Sequence, residues 1–388
     1  MYKIEALNKI DPAGLEILNN EDFTTHASGE VDGYLVRSAD LHEKEIPYGL
    51  LAIARAGAGT NNIPLDRCAS EGIVVFNTPG ANANAVKELV LCSLLLSSRD
   101  IVGGINWTKR EAEISADLPK AVEGGKSTFA GPELLGKTIG ILGLGAIGVL
   151  VANACYRLGM EVLGYDPYLS VNAALQLDRH IQVAKTPEEV YAQADYITLH
   201  IPYMDSTKDS IDEEALSKMK EGVKLINLAR GELVQQEAIL KALATGKVSR
   251  YITDFPTKAL MGAKNLIALP HLGASTPDSE RNCAIMAAQQ MKNYLEYGNI
   301  VNSVNLPDVS MPPVGLPRIC VFHKNVPNML GQITNVLAEF KINVENMMNK
   351  SRGDFAYTML DVGSSIPDNA EEQLRGIREI IKVRILNG

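Results

Sequence analysis

The sequence predicts an α/β fold: a doubly wound parallel sheet inserted into a second parallel α/β unit, followed by a small βαββαβ unit. Three observations predict it. Short apolar runs alternate with polar, helix-capable segments through most of the chain, the pattern of parallel strands with crossover helices. One such run, Ile139–Leu142, leads straight into Gly143, Gly145 and Gly148 in GxGxxG spacing, and then into a helical segment through Leu158. Beyond a proline-rich stretch the pattern changes to strand, helix, strand, strand, helix, strand.

The glycine turn organises the rest. Gly143 permits a tight strand-to-helix turn, Gly145 lets the backbone approach a pyrophosphate, and Gly148 lets helix and strand pack closely. The helix start at Ala146 and Ile147 offers free N–H groups and a positive dipole end to phosphate. The next strand, Glu161–Tyr165, ends in Asp166, placed to accept from an adenosine ribose hydroxyl. An acid there repels a 2′-phosphate, so the expected cofactor is NAD. This is a Rossmann-type unit, and the surrounding parallel sheet is expected to be flavodoxin-like.

Strand-like runs at Tyr34–Arg37, Leu50–Ala54 and Ile73–Phe76 belong to the first unit. Two loops follow them, Arg55–Asn62 and Asn77–Asn82, at the carboxyl ends where open parallel sheets bind ligands. Val86–Arg99 reads as one apolar helix, and 103–131 as a polar, glycine-bearing connection. Further strands are expected at Tyr196–His200, Val223–Asn227, Ser249–Thr253 and Leu266–Leu269, then a helix over Pro277–Tyr297. The expected domains are 1–98 with 280–308, an inserted 99–279, and 317–388. Residues 306–317 carry four prolines and read as an extended spacer. In the last domain, strands are expected at Arg318–His323, Ile342–Met348, Phe355–Val362 and Val383–Leu386, with helices along Leu330–Phe340 and Asn369–Ile381.

A chain of 388 residues holds several cores, and 46% hydrophobic with 21% charged residues is ordinary for a globular protein. The net charge of −9 argues against nucleic acid or an acidic membrane as the main partner. No signal-like N-terminus or membrane-length apolar run is present, and five scattered cysteines read as core thiols, so a cytoplasmic location is expected. No metal site is expected.

Arg230 and His271 both follow strands of the nucleotide unit. Removing hydride from a 2-hydroxy acid needs a base for the hydroxyl proton and a cation for the carboxylate. Histidine suits the first and the planar arginine fork the second. His26, His42 and His180 lie in polar runs and read as solvated, whereas His200 closes a strand toward the cofactor cleft.

These motifs together (GLGAIG, Asp166, Asn227–Gly231, Pro270–Thr276 and Asn77–Asn82) resemble the D-isomer-specific 2-hydroxyacid dehydrogenases. The resemblance covers nearly the whole chain. It implies an NAD-dependent oxidoreductase in which Arg230 binds the substrate carboxylate and His271 is the acid/base. Arg37–Ser38 and Arg55–Gly59 are similar to the members that act on a phosphorylated substrate, 3-phospho-D-glycerate. Arg37, Ser38, Arg55, Ala56, Gly57 and Asn82 are then the substrate side. Gly143, Gly145, Ala146, Ile147, Gly148, Asp166, His200, Pro202, Thr207, Ala229, Asp254 and Gly273 are the cofactor side. The C-terminal unit resembles an ACT domain, in which His323, Asn325 and Asn343 match positions that take L-serine at a dimer interface. Feedback by serine and a homodimer or homotetramer are implied. Asn328 departs from the glycine usual in that loop.

A larger departure lies beside His271. The family pairs this histidine with a glutamate from the loop after the Asp254 strand, but Phe255–Asn265 contains no acid. His271 is expected to work without that dyad. Two alternatives keep the same motifs: a related dehydrogenase for another small 2-hydroxy acid, and a catalytically idle NAD or amino-acid sensor.

Overall fold

The computed structural model describes residues 1–25 and 29–387; His26 lies outside them. The chain forms two compact units, 1–82 with 277–388, and 83–276.

The first unit begins with a sheet of β1 (Tyr2–Ala6), β2 (Phe23–Thr24), β3 (Gly33–Val36), β4 (Ala52–Arg55) and β5 (Val74–Phe76). All neighbours are parallel and the order is β2-β1-β3-β4-β5, the flavodoxin-like order expected. Sequence patterning missed β1 and β2. Lys3 and Glu5 interrupt the apolar character of β1, and β2 is two residues long.

The middle unit carries β6 (Thr138–Leu142), β7 (Glu161–Tyr165), β8 (Gln182–Val183), β9 (Tyr196–Leu199), β10 (Val223–Asn227), β11 (Val248–Thr253) and β12 (Leu266–Ala268). Their order, β12-β11-β10-β9-β6-β7-β8, is the doubly wound arrangement with its switch point between β6 and β9. The expected boundary near residue 98 moves. The helix Ala83–Ser98 groups with this unit, because Val86, Val90 and Leu94 pack against Ile139, Ile141, Leu144 and Val149. The stretch read as a polar connection is helical over Ile101–Ile114 and Leu118–Gly125. Asp100 and Asp117 cap these helices by accepting the N–H groups of Gly103 and Lys120, which outweighs the unfavourable glycines.

The C-terminal sheet comprises β13 (Arg318–Lys324), β14 (Val344–Arg352), β15 (Phe355–Val362) and β16 (Ile380–Leu386) in the antiparallel order β14-β15-β13-β16. With helices Met329–Glu339 and Asp368–Arg375 this is the expected βαββαβ unit. The second helix is shorter than expected because β16 takes over at Ile380. β14 lies further on than expected; its register comes from pairing with β15, its own residues being mostly exposed and polar.

Alternation along β13 explains how this sheet is covered. Ile319 and Val321 join Ile333, Leu337 and Leu374 on the helical face, while Cys320 and Phe322 join the core formed by Ile4, Ala284, Tyr294 and Leu295. The proline-rich segment is accordingly no solvated spacer. Leu306, Val309 and Met311 are buried, and the Arg318 guanidinium donates to the carbonyls of Tyr297, Met311 and Pro312 while pairing with buried Asp361 at 2.6 Å. Arg384 donates to the carbonyls of Tyr294 and Leu295. Four cysteines are buried as expected; Cys92 is exposed on the outer side of its helix. No helix among the described residues is long and apolar enough to cross a membrane.

Candidate active site

The glycine turn is built as its spacing requires. Gly143 has φ +96°, and a Cβ there would lie 2.6 Å from the His200 carbonyl oxygen. A Cβ at Gly145 would meet nothing within 4 Å, which leaves open space at the start of the helix Ala146–Arg157. A Cβ at Gly148 would strike the Gly143 carbonyl. Among the described residues no side chain caps this helix, so Ala146 and Ile147 present their N–H groups. Asp166 does more than expected: its Oδ2 accepts from Leu144 N–H and its Oδ1 from Tyr168 N–H, each at 2.8 Å. The carboxylate therefore ties the glycine turn to the end of β7. It retains lone pairs for a ribose hydroxyl.

His200 follows β9 with Nε2 3.1 Å from Thr198 Oγ1. Burial pushes its pKa down to about 3, so it is neutral at physiological pH. Pro202 and Thr207 form one turn, Thr207 Oγ1 donating to the Pro202 carbonyl at 2.7 Å.

On the strand next to β9, Asn227, buried at the end of β10, shapes the Arg230 loop. Its Oδ1 accepts from the N–H groups of Ala229 and Arg230, and its Nδ2 donates to the Arg230 carbonyl at 2.8 Å. Asn227 is a site residue that motif reading quoted without assigning it a role. The exposed Arg230 fork is steadied by Nη1 donating to the Ala229 carbonyl at 2.6 Å.

Asp254 and His271 are brought together after β11 and β12. His271 has φ +49°, unusual for a residue with a side chain, and its N–H donates to the carbonyls of Asp254 and Leu269, each at 3.1 Å. Asp254 is 1% exposed; its Oδ2 accepts from Gly273 N–H at 3.0 Å, and Oδ1 has no partner among the described residues. Burial raises its carboxyl pKa above the ordinary value, against the pull of Gly273, His271 and Arg230. The acid-free loop places Phe255, not a carboxylate, against the His271 ring.

In the first unit, Arg37 and Ser38 follow β3, Arg55 ends β4, and Ala56 and Gly57 follow it. Asn8 Oδ1 gathers the N–H groups of Arg37, Ser38 and Ala39 within 3.0 Å. Arg37 Nη2 pairs with Glu280 at 2.6 Å. Neither Asn8 nor Glu280 was singled out by sequence, because both are remote from the motifs they support. The Arg55 guanidinium lies over Gly57, and Asn77 Nδ2 donates to the Ala58 carbonyl at 2.7 Å, which joins the two loops. Asn82 is half-buried at the end of the second loop.

The C-terminal trio is internally engaged. Buried His323 sets Nδ1 2.8 Å from the Lys324 carbonyl and Nε2 2.9 Å from Thr358 Oγ1. Asn325 Nδ2 donates to the Gly353 carbonyl and Asn343 Nδ2 to Glu345. Asn328 has φ +69°, which accounts for a glycine preference that asparagine tolerates. His42 and His180 are exposed as expected, near Asn61 and Asp178 respectively.

The middle unit thus has the parts of a dinucleotide-dependent redox site. Residues 95–273 match the family model "D-isomer specific 2-hydroxyacid dehydrogenase, NAD binding domain". The chain belongs to the D-isomer-specific 2-hydroxyacid dehydrogenase family and is an NAD-dependent oxidoreductase. Among its relatives, the D-3-phosphoglycerate dehydrogenase of Haemophilus influenzae is 30% identical over 349 residues, covering 87% of this chain and 81% of that one. The enzyme of the same name from Bacillus subtilis is 32% identical over 328 residues, covering 79% and 59%. Among solved structures, the NAD+-bound 3-phosphoglycerate dehydrogenase of Entamoeba histolytica aligns with TM-score 0.60 and 26% identity, over 78% of this chain and 98% of that one. The D-mandelate dehydrogenase of Rhodotorula graminis shares the fold, with TM-score 0.66 and 21% identity over 80% and 99%.

NAD fits this site on three observations. The open space at Gly145 and the uncapped helix admit a pyrophosphate. Asp166 supplies a ribose acceptor. The buried Asp254 Oδ1, unpartnered among the described residues, is an acceptor that an amide donor would satisfy.

Proposed function

We propose that the chain oxidises 3-phospho-D-glycerate to 3-phosphohydroxypyruvate, and catalyses the reverse reduction, as the first step of L-serine biosynthesis. The observation that carries this reading is the cluster of Arg230, Asp254 and His271 at the carboxyl ends of β10–β12. Arg37, after β3, and Arg55, at the end of β4, add the cations that a phosphoryl group requires.

The Gly143–Gly148 turn, Asp166 and Asp254 would hold NAD, which would supply the hydride acceptor for oxidation at C2 and, as NADH, the donor for the reverse reduction. An imidazole nitrogen of His271 accepts the C2 hydroxyl proton during oxidation and donates it to the carbonyl oxygen during reduction. Arg230, steadied through Nη1, grips the carboxylate with its remaining N–H donors, and its charge opposes the build-up of negative charge on the neighbouring oxygen. Asp254 holds Gly273 through Oδ2 and receives an amide at Oδ1. Arg37 and Arg55 hold the phosphoryl group. L-Serine is proposed as an effector at His323, Asn325 and Asn343; an unchanged rate at millimolar serine would remove that part.

The test is the initial rate of NADH oxidation with 3-phosphohydroxypyruvate, beside pyruvate, glyoxylate and hydroxypyruvate. Strong preference for the phosphorylated acid is the expected result. Preference for an unphosphorylated acid would replace the substrate assignment. NADH binding without turnover of any of them would instead point to a sensor.

A further inference from the structure

Between Phe255 and Pro270 the chain carries no acid. Nothing in that loop can do for His271 what a carboxylate does: fix the ring and favour its charged form. What meets the imidazole instead is a phenyl group. The Phe255 and His271 ring centroids are 4.8 Å apart with their planes at 53°, within the range of tilted aromatic pairs.

Phe255 is itself held in place. Its N–H donates to Thr253 Oγ1 at 3.1 Å. Its side chain lies against Gly231, where an added Cβ would stand 3.2 Å from Phe255 Cβ and 3.7 Å from Cγ. A residue without a side chain at 231 therefore lets the phenyl group settle between the Arg230 turn and His271. The His271 backbone is pinned by its two hydrogen bonds, to Asp254 and Leu269. Its ring is exposed, so packing is what sets its side-chain torsions.

We propose that Phe255 is the positioning residue of His271. The inference rests on the reading of His271 as the proton donor and acceptor. Contact with the phenyl ring restricts the imidazole to one orientation. The charged neighbours in the cluster are Asp254 and Arg230, and substitution at Phe255 leaves both in place. Gly231 then has a reason beyond its place in a motif: it makes room for the positioning ring.

The experiment compares wild type, Phe255→Leu and Phe255→Tyr by kcat, by KM for NADH, and by the NMR signals of the His271 imidazole in the cofactor-free protein, whose NOEs to residue 255 report the ring's orientation. For Phe255→Leu we expect kcat to fall by about tenfold with KM for NADH unchanged. The imidazole NOEs to residue 255 should weaken as the ring samples more than one orientation. Phe255→Tyr should restore both. Unchanged kcat and imidazole signals in Phe255→Leu would overturn the proposal, as would a Phe255→Tyr protein as impaired as the leucine variant. The NMR comparison needs no turnover. Failure of the proposed function, seen as an inactive wild type, is therefore distinguishable from failure of this inference, seen as unchanged imidazole signals.

Discussion

The two ends of the middle sheet make an instructive pair, because each places a carboxylate just past a parallel strand. Asp166, after β7, has both oxygens engaged by backbone N–H groups and serves as a strut for the glycine turn. Asp254, after β11, is more deeply buried, has one oxygen engaged, and leaves the other unpartnered among the described residues. Where the polar groups satisfy one another, the fold is being held. On the proposed function, the oxygen left unmatched in a buried carboxyl is there to meet a ligand's donor. On the same reading, the β6–β7 end holds the pyrophosphate and ribose of the cofactor, and the β10–β12 end holds its amide beside the groups that move protons and grip the substrate.

Several substitutions can break or sharpen that division. The largest effect is expected at His271: replacement by alanine should lower kcat by about 10²–10⁴-fold in the 3-phosphohydroxypyruvate assay. Arg230→Lys keeps the charge but loses the planar fork, so KM for the 2-oxo acid should rise about 10- to 100-fold.

Asp254→Asn puts a donor where an acceptor is needed, and the Kd for NADH should rise about tenfold. It also tests the buried carboxyl. Because burial raises that pKa, the folded protein holds the proton more tightly than the unfolded chain does. Stability is therefore lost as pH rises from the ordinary aspartate range through the raised value, and returns on acidification. Tm measured from about pH 4 to pH 7 should fall less steeply in Asp254→Asn than in wild type. Parallel curves would show that the carboxyl is not perturbed.

Smaller still is Asp166→Ala, which should narrow the preference for NADH over NADPH and cost about 1 kcal/mol for each backbone N–H it strands. The smallest effect is expected at Glu280→Gln. The Arg37–Glu280 pair is 43% exposed on both sides, so freeing Arg37 should lower KM for the phosphorylated acid by less than about fivefold.

The β6–β7 end was almost wholly legible in the sequence, because a glycine turn at a phosphate site is dictated by local sterics: Gly143, Gly145, Gly148 and Asp166 each do what their spacing requires. The other end was legible only as residue types. Arg230 and His271 stood out, but Asn227, Asn8 and Glu280 act through hydrogen bonds whose partners no spacing reveals. Phe255 meets His271 through a ring contact that nothing in the spacing of its loop reveals. The C-terminal unit shows the same limit at larger scale. Its element order was readable, but β13 is buried on both faces, and its helix-free face packs into the core around Tyr294. No periodicity in 318–324 says what covers the second face.

The most direct test of the divided sheet is the Kd for NADH of the His271→Ala protein, measured by quenching of nicotinamide fluorescence beside its turnover. Binding indistinguishable from wild type, in a protein that has lost turnover, is the predicted result. Loss of NADH binding together with turnover would contradict it, since the two ends of the sheet would then not be separable.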